Sequence, residues 1–174
     1  MTLTDPSPTS ENESRTYRSG IVAIVLDGKS QVLLGHSASY DSSWRKGYWE
    51  FPQGGVLPGE SEEQALLREL KEEIGTDRVE ILARSTSHYH YDWRKEHRGQ
   101  HGQEQRYFLV RLVGAPELVP DPKEFTALRW VSWESLRKML RTFKAKREAY
   151  LSALAEFEEE GGRLKPEFQA ELKN

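Results

Sequence analysis

The stretch Gly54-Gly-Val-Leu-Pro-Gly-Glu60-Ser-Glu-Glu-Gln-Ala-Leu-Leu-Arg68-Glu69-Leu-Lys-Glu72-Glu73-Ile-Gly75 decides how this chain folds. Its glycines and Pro58 exclude a helix as far as Gly59. Ser61 followed three positions later by Gln64 is a capping-box pattern, and the Glu-rich first turn suits the positive end of a helix dipole. The spacing predicts a helix from about Ser61 to Ile74, stopped by Gly75. At roughly 100° per residue, Leu66, Leu67, Leu70 and Ile74 share one arc while Glu69, Glu72 and Glu73 share its neighbour. Like charges so placed repel, more strongly where water is scarce, and a divalent cation would turn that repulsion into binding. Oxygen-only ligands favour Mg2+ or Mn2+ over zinc. On composition alone a solvated acidic helix is the better fit, since Glu is a good helix former.

Working outward, Gly20-Ile-Val-Ala-Ile-Val-Leu26 is a β-branched run ended by Asp27-Gly28, and Gln31-Val-Leu-Leu34 follows at once, which predicts a hairpin of buried strands. His36 to Lys46 reads as a polar loop. Gly47-Tyr-Trp-Glu-Phe-Pro52 reads as extended. Val79–Ala83, Tyr107–Val113 and Leu128–Val131 are further strand candidates, and the polar stretch from Asp92 to Gln105 is expected to be a long loop. Beyond Trp133, apolar residues at Leu136, Leu140, Phe143, Tyr150, Leu151, Leu154 and Phe157 recur with helical spacing and predict one or two closing helices. Residues 1–16, rich in Ser, Thr, Pro and Glu, are expected to form a disordered tail, with one domain over 17–160 and a frayed or accessory end over 161–174.

A length of 174 residues suits that single domain. Twenty-five Lys and Arg against twenty-eight Asp and Glu leave a net charge of −3, which argues against a protein drawn to nucleic acid, DNA included, by its overall field and leaves room for a local basic patch. The absence of Cys excludes disulfides, thiolate metal sites and cysteine nucleophiles. His88, His90, His97 and His101 lack a recognisable zinc spacing. No apolar run approaches a membrane span and Met1 to Thr16 lacks the order of a signal peptide, so a cytoplasmic protein is the expectation.

The segment from Gly54 fits Gly-x5-Glu-x7-Arg-Glu-U-x-Glu-Glu-x-Gly-U, where U is a bulky aliphatic, except that Thr76 stands at the last position. It resembles the signature of Nudix hydrolases, and that spacing overturns the solvated-helix reading. The resemblance implies an α/β fold, an α/β/α sandwich with a mixed sheet and a loop–helix–loop motif, that hydrolyses a nucleoside diphosphate linked to another group. Carried onto this chain it makes Glu69, Glu72 and Glu73 metal ligands, joined by the Gly54 carbonyl, with Glu73 catalytic and Arg68 orienting the carboxylates. Glu60 becomes structural.

Trp49-Glu-Phe-Pro-Gln53-Gly-Gly55 is similar to the Trp-Gln-Phe-Pro-Gln-Gly-Gly of bacterial RNA 5′-pyrophosphohydrolases and dinucleoside polyphosphate hydrolases. Tyr17-Arg18, Gly102-Gln103-Glu-Gln105-Arg-Tyr-Phe108 and Glu124-Phe125 before Arg129-Trp130-Val131-Ser132 match the same branch. By this resemblance the substrate is a nucleotide or the 5′ end of an RNA, with dinucleoside polyphosphates as the alternative; a nucleotide-binding module without catalysis is the other class. Glu124 becomes a metal ligand or general base, Arg18 and Lys144 hold phosphates, Phe143 stacks on a base with Tyr91 as a second platform, and Gln53 and Gln105 bind substrate. Four departures border the pocket: a longer loop from Gly35 to Gly47, Glu50 for Gln, Ser19-Gly20 for Pro-Asn, and two extra residues between Lys144 and Tyr150.

Overall fold

The computed structural model describes residues 15–38 and 48–173. The tail expected over 1–16 and the loop expected over 36–46 therefore lie almost wholly outside the described residues. In chain order the strands and helices are β1 (Tyr17–Leu26), β2 (Gln31–Ser37), β3 (Trp49–Glu50), β4 (Gln53–Gly55), α1 (Glu62–Ile74), β5 (Val79–Arg84), β6 (Tyr89–His97), β7 (Gln100–Leu112), β8 (Phe125–Ser132), α2 (Trp133–Met139) and α3 (Lys144–Leu154). A 3-10 turn (Ala155–Phe157), β9 (Glu158–Glu159), β10 (Arg163–Leu164) and α4 (Pro166–Glu171) complete the chain.

Strand β1 is the axis of the main sheet. It runs parallel to β7 from Tyr17↔Gly102 to Leu26↔Arg111 and antiparallel to β4, giving a mixed sheet whose spine is β3-β2-β1-β7-β5. Successive residues of a strand face opposite sides, and β1 is apolar on both. Ile21, Ala23 and Val25 pack with Leu66, Leu70 and Ile74 of α1, whereas Val22, Ile24 and Leu26 pack with Leu136, Tyr150 and Leu154 of α2 and α3. The sheet is thus buried between helices, as the α/β/α reading requires.

Helix α1 has the predicted ends. The Ser61 hydroxyl accepts the Gln64 N–H, the Gln64 side chain accepts the Ser61 N–H, and Gly75 closes the helix in the left-handed region at φ 80°. Thr76, the departure from the Nudix pattern, is buried, and its hydroxyl accepts the Arg78 N–H at 3.1 Å, fixing the exit from the helix.

Three segments differ from expectation. The stretch from Asp92 to Gln105 is not a loop but the β6–β7 hairpin, turning at Arg98 and Gly99, both at positive φ; its polarity reflects strands open to solvent. Strands β1 and β2 share one registered pair, Leu26↔Val32, because β2 pairs along its length with β8. The last residues fold back on the domain, burying Leu164 and Leu172 in the cluster beneath α2 and α3.

Candidate active site

The carboxylate face of α1 opens into a cleft of about 460 Å³ whose walls come from eight parts of the chain, β2, β3 and α3 among them. Arg18 enters from β1, Gln53 and Gly54 from β4, Glu69, Glu72 and Glu73 from α1, Gln103 from β7 and Glu124 from the loop before β8. That loop is tied to the end of α1, since Asp121 N–H donates to the Glu73 carbonyl at 3.0 Å and Glu124 N–H to the Asp121 carbonyl at 2.9 Å. Glu124 is thereby brought beside Glu73 from 51 residues away in sequence.

Arg68 lies behind this face and organises it. Its Nε and Nη2 donate to the two Glu60 oxygens at 2.7 and 2.9 Å, Nη2 also to the Gly55 carbonyl at 2.8 Å, and Nη1 to Glu69 at 2.7 Å. The guanidinium and the Leu57 N–H hold the Glu60 carboxyl well below its usual range, at about 2. Glu60 is therefore an anchor for Arg68, and Arg68 positions Glu69. Glycine at 54 is a steric requirement, because a Cβ there would stand 1.9 Å from the Glu69 carboxyl carbon. At Gly55 it would stand 2.3 Å from the Arg18 guanidinium.

Glu73 is buried and accepts the Gln53 N–H at 2.9 Å. Desolvation outweighs that bond and, with the charges of Glu69, Glu124 and Glu50, pushes its carboxyl up to about 9. Burial also raises Glu69, against the pull of Arg68. Acidic oxygens in excess of local positive charge are what a divalent cation would satisfy, and the donor set is all oxygen. The side chains are not closed around such an ion: among the described residues no group of three or more acidic or imidazole side chains stands together as a ready metal cage, His88, His90, His97 and His101 included. Glu69 is turned toward Arg68 and Glu73 toward Gln53, so the donors fit in kind and would have to swing inward to coordinate.

The cleft collects Arg18, Gln53, Gly54, Glu69, Glu72, Glu73 and Glu124 as the sequence predicts. Besides Arg68, which stands behind it, it leaves out four other predicted residues. Tyr91, expected as a base platform, is buried with its hydroxyl donating to Gln103 and its ring edge-on to Phe143, at 5.3 Å and 68°; no face is free for stacking. Phe143 caps α3 and spends one side on that contact. Gln105 is wholly buried behind Gln53, donating to its side-chain oxygen at 3.0 Å, so it supports Gln53 while Gln103 lines the cleft. Lys144, expected on a phosphate, is 90% exposed beside Glu148 at 3.8 Å and does not line the cleft.

Lys146 lines it instead, buried, with its ammonium 2.5 Å from Glu50. Burial alone would lower the Lys146 pKa, but the charge of Glu50, with smaller help from Glu73, more than offsets this and raises it. The sequence marked both Glu50 and the extended stretch around Lys146 as departures without showing that they meet.

Comparison with known proteins agrees with this geometry. The NUDIX domain family model matches residues 16–154. The chain belongs to the Nudix hydrolase family. It is 37% identical over 159 residues to an RNA pyrophosphohydrolase of Nitratiruptor sp., covering 86% of this chain and 98% of that one. To the RNA pyrophosphohydrolase of Rickettsia rickettsii it is 34% identical over 154 residues, covering 82% and 90%. Among solved structures, the MutT protein of Methanosarcina mazei superposes with a TM-score of 0.60 at 19% identity, covering 84% of this chain and 99% of that one. A C. elegans Ap4A hydrolase gives 0.58 at 23%, covering 79% and 94%. At those identities the structures show a shared fold. Nudix hydrolases generally depend on divalent metals, which accords with the acidic cleft. Among the described residues no helix is long and apolar enough to cross a membrane.

Proposed function

We propose that this Nudix hydrolase removes pyrophosphate from the 5′-triphosphate end of RNA in the cytoplasm, using Mg2+ or Mn2+. The observation that carries the reading is the cleft itself: Glu69, Glu72, Glu73 and Glu124 line it together with Arg18, and Gly54 and Gly55 let Glu69 and Arg18 lie against the backbone. The relatives named above as RNA pyrophosphohydrolases, matched over most of the chain, support the substrate class. Residues 17–160 form the catalytic unit, and 161–174 are an accessory end packed against it.

The four glutamates and the Gly54 carbonyl would hold the cation. Bound there, it would supply charge neutralisation at the phosphate oxygens and acidify the attacking water. The chain's own groups do the rest. Arg18 binds a phosphate, Gln53 and Gln103 offer amide groups to the cleft, and Arg68 holds Glu69 in register. Glu73 or Glu124 takes the proton from water as it attacks phosphorus in line with the departing oxygen. Phe143 keeps one side for a base.

The test compares kcat/KM for short triphosphorylated RNA with that for diadenosine tetraphosphate under one magnesium and salt condition. A preference for the RNA is expected, because burial of Tyr91 removes the second platform that a dinucleotide needs. A clear preference for the dinucleotide would overturn the assignment.

A further inference from the structure

The Glu50–Lys146 pair is the strongest feature that the reading above does not use. Both side chains are almost fully buried, they are 96 residues apart in sequence, and they meet at 2.5 Å on the wall of the catalytic cleft. Such a pair is a poor stabilising device, because desolvating two charges cancels most of their attraction. Its geometry is also incomplete. An ammonium carries three N–H donors, Glu50 accepts one, and among the described residues no other acceptor hydrogen-bonds Lys146. Beyond Glu50 the ammonium has only the Tyr150 ring, 5.7 Å away at its centroid, and no second acceptor, although Lys146 lines a cleft suited to an anion. Arg18 is the other basic side chain lining that cleft, so the pair adds a second positive charge to its wall.

From this geometry, and resting on the phosphoanhydride-hydrolase reading above, we propose that Lys146, held by Glu50, is the residue that grips the substrate's phosphate chain, in the place the motif resemblance gives to Lys144. Helix phase explains the exchange. Residues 144 and 146 are about 200° apart around α3, so they look in nearly opposite directions. With Phe143 fixed as the cap against Tyr91, Lys144 projects to solvent and Lys146 to the cleft. The two extra residues before Tyr150 supply a lysine at the inward position, and acidic Glu50 in place of Gln supplies its counter-charge. Each departure makes sense given the other. When substrate enters, N–H donors of Lys146 that Glu50 does not hold turn to phosphate oxygens while Glu50 keeps its own, so the ammonium never stands without a counter-charge.

The experiment measures kcat, KM and the salt dependence of kcat/KM on triphosphorylated RNA for the wild type, Lys144→Ala, Glu50→Gln and the double variant Glu50→Gln/Lys146→Met. Removing both charges together avoids an unpaired buried carboxylate, and thermal unfolding checks that the variant is folded. The double variant is expected to raise KM about tenfold or more with a smaller change in kcat, and to flatten the slope of log(kcat/KM) against log[salt] by about 0.7, the loss of one phosphate contact on a single strand. Glu50→Gln, which keeps the ammonium but removes the carboxylate that holds it, should raise KM less than the double variant does, and Lys144→Ala should show the smallest loss. A folded double variant with unchanged KM and slope would overturn the proposal, as would a KM rise with an unchanged slope, or a larger loss at 144 than at 146. If the wild type does not cleave the RNA, the functional reading fails separately. Calorimetric binding of magnesium pyrophosphate to the wild type and the double variant then decides on Lys146, with tenfold weaker binding expected and equal binding contradicting it.

Discussion

Replacing Glu73 by Gln should stabilise the metal-free protein at alkaline pH while destroying turnover. The Glu73 carboxyl is buried and held up at about 9, chiefly by desolvation, whereas in the unfolded chain it titrates near the ordinary 4.5. Between those values the folded state keeps a proton that the unfolded state has released. Its contribution to stability is therefore fully present below about pH 4.5 and is lost as pH rises toward 9. At about 1.4 kcal/mol per pH unit the loss by pH 8 has an upper limit near ~5 kcal/mol, and local rearrangement reduces it to a few. The carboxamide of Gln still accepts the Gln53 N–H and has no proton to lose. For a chain of this length the difference corresponds to a Tm about 5–15 °C higher for Glu73→Gln at pH 8, narrowing toward pH 5. Thermal unfolding in EDTA across that range measures it. Magnesium should raise the Tm of the wild type and not of the variant, and kcat should fall on the order of 10²-fold or more. Parallel Tm profiles for the two proteins in EDTA would refute the argument.

Gly54→Ala puts a methyl group onto the Glu69 carboxylate; activity should fall by at least tenfold and calorimetry should show weaker magnesium binding, with circular dichroism unchanged. Arg68→Lys cannot reproduce the paired bonds to Glu60 together with those to Gly55 and Glu69, so kcat should drop about 10–100-fold and the magnesium concentration for half-activity should rise, as measured in a metal titration. Leu164→Ala empties a buried site beneath α2, and denaturant unfolding should show a loss of ~2–4 kcal/mol with little change in the kcat of the folded enzyme.

Helix α1 and its carboxylates were legible because their signals are local: Ser61 with Gln64 at one end, Gly75 at the other, and a charged arc beside an apolar one. The β6–β7 hairpin was not, because strands exposed to water carry no apolar alternation across 92–105, and the only cue is Gly99 after Arg98 in a two-residue turn at positive φ. Gly54 and Arg18 were found from motif spacing, yet the reason for glycine there, the Glu69 carboxylate lying against its Cα, is a tertiary fact. Tyr91 and Lys144 were misplaced for one cause. Exposure on β6 and orientation on α3 both depend on where Phe143 caps the helix, and two added residues turn a different lysine inward. Leu164, Phe168 and Leu172 recur every four residues and could have revealed that the end of the chain packs on the core.

The central claim is that the acidic cleft hydrolyses a phosphoanhydride bond at an RNA 5′ end. It is tested most directly by incubating a 5′-triphosphorylated oligonucleotide with the protein and magnesium and reading the chemical state of the 5′ end by mass spectrometry. The account predicts conversion to the 5′-monophosphate, blocked by EDTA and absent with Glu73→Gln. An oligonucleotide that stays triphosphorylated while bound to the wild-type protein would contradict it and make the fold a binding module.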